Sequence, residues 1–92
     1  MSEKVTREEM IKNMAENLPV LRTRLHLTQS ELAAKLGISR QTVIALESGK
    51  RPMTWSTFLS LVFIFSKYEE TQKLLGVLDI YPQEFEEDFL SR

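Results

Sequence analysis

The sequence predicts an all-α chain, on three observations. Ser or Thr recurs where a helix would open, apolar residues follow at steps of three and four, and segments bearing Gly or Pro separate the runs. At 92 residues with 42% apolar content, the chain has the size of one domain with one small helical core. The expected division is a single domain over 1–92, with its core at 18–66, a helical extension at 1–17 and an acidic helical extension at 67–92.

Thr6 and Glu9 form a T-x-x-E capping box, in which the hydroxyl and the carboxylate each take a free backbone N–H of the other residue. With Val5 and Met10 as its hydrophobic staple, a helix starts near Arg7. Met10 or Ile11, Met14, Leu18, Leu21 and Leu25 continue it in phase across Pro19. Two readings fit: one helix kinked at Pro19, or two helices with the second opening there.

Thr28 and Glu31 make another capping box, flanked by Leu27 and Leu32, so the next helix begins at Gln29. Leu32, Ala33 and Leu36 share a face, and Gly37 supplies the left-handed conformation that ends a helix at little cost. Ser39 caps a further helix, with Ile38 and Val43 as its staple. Val43 and Leu46 point inward, while Arg40, Gln41, Ile44 and Ala45 point outward. Two-turn helices do not stand alone in water, so these two must pack on each other, and Ala33 is small where they cross.

Residues 48–52 read as a turn, and Thr54 caps a helix through about Phe65. Trp55, Phe58, Leu59 and the run from Leu61 to Phe65 leave it almost no polar face, so the C-terminal segment or a second chain must cover it. That run falls short of the ~17–25 residues a membrane span needs. Glu69 to Leu75 reads as a short helix stopped by Gly76. Val77, Leu78, Ile80 and Tyr81 form an apolar connector, and Pro82 opens a last helix with Phe85 and Phe89 on one face and Glu86, Glu87 and Asp88 toward water.

The net charge of −1 conceals a dipole. Residues 1–52 hold nine Lys or Arg against six acids, and residues 53–92 hold three against seven. A basic half suits phosphates, and an acidic half pointing away limits indiscriminate adhesion to nucleic acid. With no cysteine there is no disulfide framework or thiol nucleophile. The charged start of the chain lacks the apolar stretch of a secretory signal. A single histidine, no P-loop, no Gly-rich dinucleotide turn and no H-E-x-x-H pair argue against an enzyme, a metal site or a cofactor.

Fifteen positions between Thr28 and Lys50, among them Thr28, Gln29, Glu31, Ala33, Gly37, Ile38, Ser39, Gln41, Val43, Leu46, Glu47 and Gly49, resemble the helix-turn-helix of the lambda-repressor-like, Cro and Xre family. The resemblance covers roughly residues 18–65 and leaves the flanks uncovered. It implies a compact bundle of four or five helices, with the second helix of the motif in the DNA major groove. By position in that family, Arg40, Gln41, Ile44 and Ala45 face the bases. Arg can pair with guanine O6 and N7, Gln with adenine N6 and N7, and Ile44 and Ala45 can touch a thymine methyl. For Arg40 a phosphate contact also fits, and for Ile44 packing at the domain's edge. Thr28, Gln29, Ser39, Thr42, Ser48, Lys50 and Arg51 are the expected phosphate contacts. The resemblance also implies a salt bridge between Arg22 and Glu47. His26 stands where the family often has Gly, and a lone His in a turn is expected to be solvated.

The expected function is therefore a sequence-specific, double-stranded DNA-binding transcriptional regulator, a bacterial or phage-encoded dimeric repressor acting in the cytoplasm, with no cofactor and no membrane contact. Its homodimer is expected to form through the region of Phe63, Phe65, Phe85 and Phe89, the lesser alternative being that the tail closes its own subunit's core. The alternative is an antitoxin or adaptor whose C-terminal segment grips a partner protein and whose DNA binding is autoregulatory.

Overall fold

A computed structural model describes residues 5–80 of the chain. The expectations placed on Tyr81, Pro82, Phe85, Phe89 and the acidic residues between them lie outside the described residues. The order is α1 (Arg7–Arg24), α2 (Gln29–Leu36), α3 (Arg40–Glu47), α4 (Trp55–Ser66) and α5 (Glu69–Val77), an all-α arrangement.

Four of the five helices begin as their hydroxyl residues dictate. Thr6, Thr28, Ser39 and Thr54 each accept the backbone N–H three residues on, and Thr6 and Thr28 complete reciprocal capping boxes with Glu9 and Glu31. The fifth helix opens at Tyr68 with no side-chain cap. It is anchored instead by Thr71, whose buried hydroxyl donates to the Phe65 carbonyl at 2.6 Å and so ties the end of α4 to the first turn of α5. A buried hydroxyl left without an acceptor would cost about 1–3 kcal/mol.

The ends of α1, α2 and α5 share one device, in which a left-handed residue reverses the chain and an apolar residue beyond it returns to the core. After α1 the left-handed residue is His26 (φ 57°), and Leu27 N–H donates to Arg22 O. After α2 it is Gly37 (φ 71°), and Ile38 N–H donates to Ala33 O. After α5 it is Asp79 (φ 55°), and Ile80 N–H donates to Leu75 O at 2.8 Å. The expectation that Gly76 stops α5 is thereby corrected: the helix runs on to Val77, because the fully buried Ile80 seals against Leu75 only if the reversal falls at Asp79. Of the two readings of Pro19, the structure has the single helix, with Pro19 inside α1.

The core lies where α1, α4 and α5 meet and extends under α2 and α3. Met10, Met14, Leu18 and Leu21 of α1 face Phe58, Leu61, Val62 and Phe65 of α4, with Leu32, Ala33, Val43 and Leu46 closing the motif side. Trp55 stacks on Phe58 with ring centroids 4.7 Å apart and carries the Arg7 guanidinium on its ring at 4.5 Å. The apolar helix α4 is not covered all round. Phe65 is fully buried, whereas Phe63 is 64% exposed. Phe65 is therefore no part of any dimer surface, a correction to the expected pairing region, because its ring is consumed by its own subunit's core.

Candidate nucleic-acid interface

The interface is built on α2, α3 and the turn after α3. Thr28 Oγ1 accepts from Glu31 N at 3.0 Å, and Thr28 N–H donates to Glu31 Oε1 at 2.8 Å. That backbone N–H, followed by the Thr28 hydroxyl, holds the Glu31 carboxyl below the ordinary glutamate range. With α2 fixed at its start and reversed by Gly37, Ser39 sets the start of α3 by accepting Thr42 N–H at 3.1 Å.

Val43 and Leu46 anchor α3 in the core, which leaves the opposite edge outward. Arg40, Gln41 and Ile44 are exposed and Ala45 is half-buried. Among the described residues, no hydrogen bond or ion pair engages the Arg40 or Gln41 side chain. Ile44 is 36% exposed, so a good part of its side chain stays on the surface.

Around this edge lie hydroxyls and cations. Ser39 and Thr42 hydroxyls share a hydrogen bond of 2.9 Å, and Arg51 Nη1 donates to Thr42 Oγ1 at 3.5 Å, placing Arg51 beside the start of α3. Ser48 caps α3 and turns its hydroxyl back to Ala45 O. Gly49, at φ 77°, reverses the chain so that Arg51 N–H reaches Ala45 O at 3.2 Å, and Lys50 is left exposed at the bend. A side chain at Gly49 would be strained by that backbone conformation, whatever room surrounds it.

Beneath the edge, Arg22 Nε donates to Glu47 Oε2 at 2.7 Å and Nη2 to Oε1 at 3.4 Å, a two-point pairing with the side chains only 15% and 8% exposed. Arg22 Nη1 also donates to Leu27 O at 2.9 Å, and Gln29 Nε2 donates to Glu47 Oε1 at 3.0 Å. Sequence reasoning missed both of these bonds. The ion pair thus becomes a knot joining α1, the turn before α2, the start of α2 and the end of α3. Gln29 keeps a second amide N–H beyond the one given to Glu47. His26 is exposed at the corner after α1.

The helix-turn-helix family profile matches residues 21–54, which run from the end of α1 to the cap of α4. An uncharacterized HTH-type transcriptional regulator of Methanocaldococcus jannaschii is 44% identical over 55 residues, 60% of this chain and 77% of that relative. The chain belongs to the lambda-repressor-like helix-turn-helix family. Another relative, an uncharacterized HTH-type transcriptional regulator of Methanothermobacter thermautotrophicus, is 59% identical over 29 residues, 32% of this chain and 42% of that relative. No solved structure gives a significant match. As in the family, the paired helices are α2 and α3, and among the described residues no helix is long and apolar enough to cross a membrane.

Proposed function

We propose that this helix-turn-helix protein is a sequence-specific transcriptional regulator of double-stranded DNA in the cytoplasm, a repressor that acts as a dimer on two-fold related half-sites. The reading rests on one observation above the others: α3 presents Arg40 and Gln41 exposed and unengaged among the described residues, on a helix whose other face is locked by Val43, Leu46 and the Glu47 knot. Side chains so placed can meet base edges in a major groove, Arg at guanine and Gln at adenine. Thr28, Gln29, Ser39, Thr42, Ser48, Lys50 and Arg51 form the surrounding set that takes phosphates and sets the register without reading sequence. Two motifs related by a two-fold axis then meet half-sites about one helical turn, ~34 Å, apart, and occupancy of such a site blocks polymerase.

Both relatives carry regulator names, which supports the transcriptional part of the proposal. The test is selection of bound sites from random duplex DNA by the purified protein. A two-fold symmetric consensus is the expected result. Recovery of sequences without any consensus contradicts sequence-specific regulation, and an unrepeated single half-site contradicts the dimer.

A further inference from the structure

A groove of about 470 Å³ opens between α2, α4 and the start of α5, on residues that no part of the DNA interface uses. Leu59, Phe63, Ile64 and Tyr68 give it an apolar floor and wall, and Lys35 and Lys67 flank it. Phe63 is 64% and Tyr68 42% exposed, and the Lys67 ammonium sits 4.5 Å from the Phe63 ring centre. A smaller recess of about 250 Å³ adjoins it through Lys35 and Tyr68 and adds Arg24 and His26. An exposed aromatic patch among cations fits a partner that is both acidic and aromatic.

We propose that the occupant is the chain's own C-terminal segment, folded back in cis. Residues 84–90 read E-F-E-E-D-F-L, which combines four acids with two aromatic rings at i and i+4. Reach supports the same occupant. The described chain ends at Ile80, beyond the far end of α5 from Tyr68, and Ile80 is buried and fixed by its bond to Leu75. The nine residues 82–90 can span up to about 30 Å, well over the about 13 Å length of α5. That length suffices for Phe89 and Leu90 to reach the Tyr68 end of α5, where the groove lies, and the acids beside them complement Lys35 and Lys67 in charge. A tail held in cis is also already at high local concentration, an advantage no separate chain shares.

The chain has no cysteine, so a nitroxide can be attached at one position only, through Ser91→Cys in the full-length protein. The expected result is selective loss of the amide signals of Lys35, Ser60, Phe63, Lys67 and Tyr68 in a ¹⁵N spectrum. Those signals return in the Phe89→Ser variant and in the Lys35→Glu, Lys67→Glu double variant. They are untouched when unlabelled spin-carrying chain is mixed with ¹⁵N chain lacking the nitroxide. Signal loss in the mixed sample as well assigns the groove to a second copy and overturns the proposal. Loss at Arg40, Gln41 and Lys50 instead, or no localised loss, overturns it as well.

Discussion

Helices α3 and α4 begin alike, each on a hydroxyl that takes the N–H three residues on, and then part company. Helix α4 sinks five of its twelve residues into the core, whereas α3 sinks two of eight and offers an edge of Arg40, Gln41 and Ile44 to the outside. Burial does most to hold α4 in place, helped by the Thr54 cap and the Thr71 bond to Phe65 O. For α3, two apolar anchors are too few to fix its orientation, and the Arg22–Glu47–Gln29 knot supplies what burial does not. In the proposed role, a recognition helix must keep its outer side chains out of the fold's own contacts, and it then needs a polar clamp from behind. The difference teaches that α3 is held by its rear so that its front stays free.

The comparison breaks most sharply at Phe58, which is fully buried under α4 and stacked on Trp55. Phe58→Ala is expected to cost about 3–5 kcal/mol by urea denaturation, from lost burial and the cavity left behind. A loss under about 1 kcal/mol would mean that α4 is not the fold's main support.

Next comes Glu47→Ala, which strands the Arg22 guanidinium in a site where its side chain is 15% exposed. The expected loss is about 3 kcal/mol, well above the ~0–1 kcal/mol of a surface pair, and the same denaturation series measures it. A surface-sized loss would remove the clamp from the account.

The capping boxes have a pH signature. Glu31 titrates below its ordinary range in the folded chain because the Thr28 N–H and then its hydroxyl bind the charged form, and Glu9 does so because of Thr6 in the same order. A folded-state value lowered in this way adds stability that is complete above the free glutamate value of about 4.3 and is lost as the pH falls through the lower folded value. Paired melts of the parent and the Glu9→Gln, Glu31→Gln double variant are expected to differ at pH 6 and to converge in acid, roughly below pH 4. Equal differences at every pH would detach the boxes from ionisation.

The smallest effect is the most pointed for α3. Ile44→Ala should cost no more than about 1 kcal/mol, since Ile44 is only partly covered and Ala is the better helix former. A core-sized loss there would show that the outer edge of α3 belongs to the fold.

Helix starts were legible in the sequence because the caps are local chemistry: Thr6, Thr28, Ser39 and Thr54 each act on a neighbour three residues away. Helix ends were harder. Gly37 reads directly, but His26 and Asp79 take the left-handed conformation without the glycine that advertises it, and Gly76 advertises one it does not take. What decides is the apolar residue beyond the turn, Leu27, Ile38 or Ile80, which must find a place in the core. Phe63 and Phe65 were indistinguishable for a related reason, since a helix that is apolar all round has no periodicity from which to read its exposed side. The outward position of Arg40 and Gln41 followed from the anchors Val43 and Leu46. The bonds behind them join residues 18 to 25 positions apart, and no local pattern encodes those.

The central claim is that the front of α3 reads bases while Lys50 at the following bend holds phosphate. Binding of parent, Gln41→Ala and Lys50→Ala to the selected duplex and to random duplex, across a salt series, tests it directly. Gln41→Ala should lose about 1–3 kcal/mol at one base position and nothing on random duplex, whereas Lys50→Ala should weaken both duplexes alike and lower the salt slope by about 1. Equal losses on both duplexes for both variants, with the same change of slope, would contradict the claim.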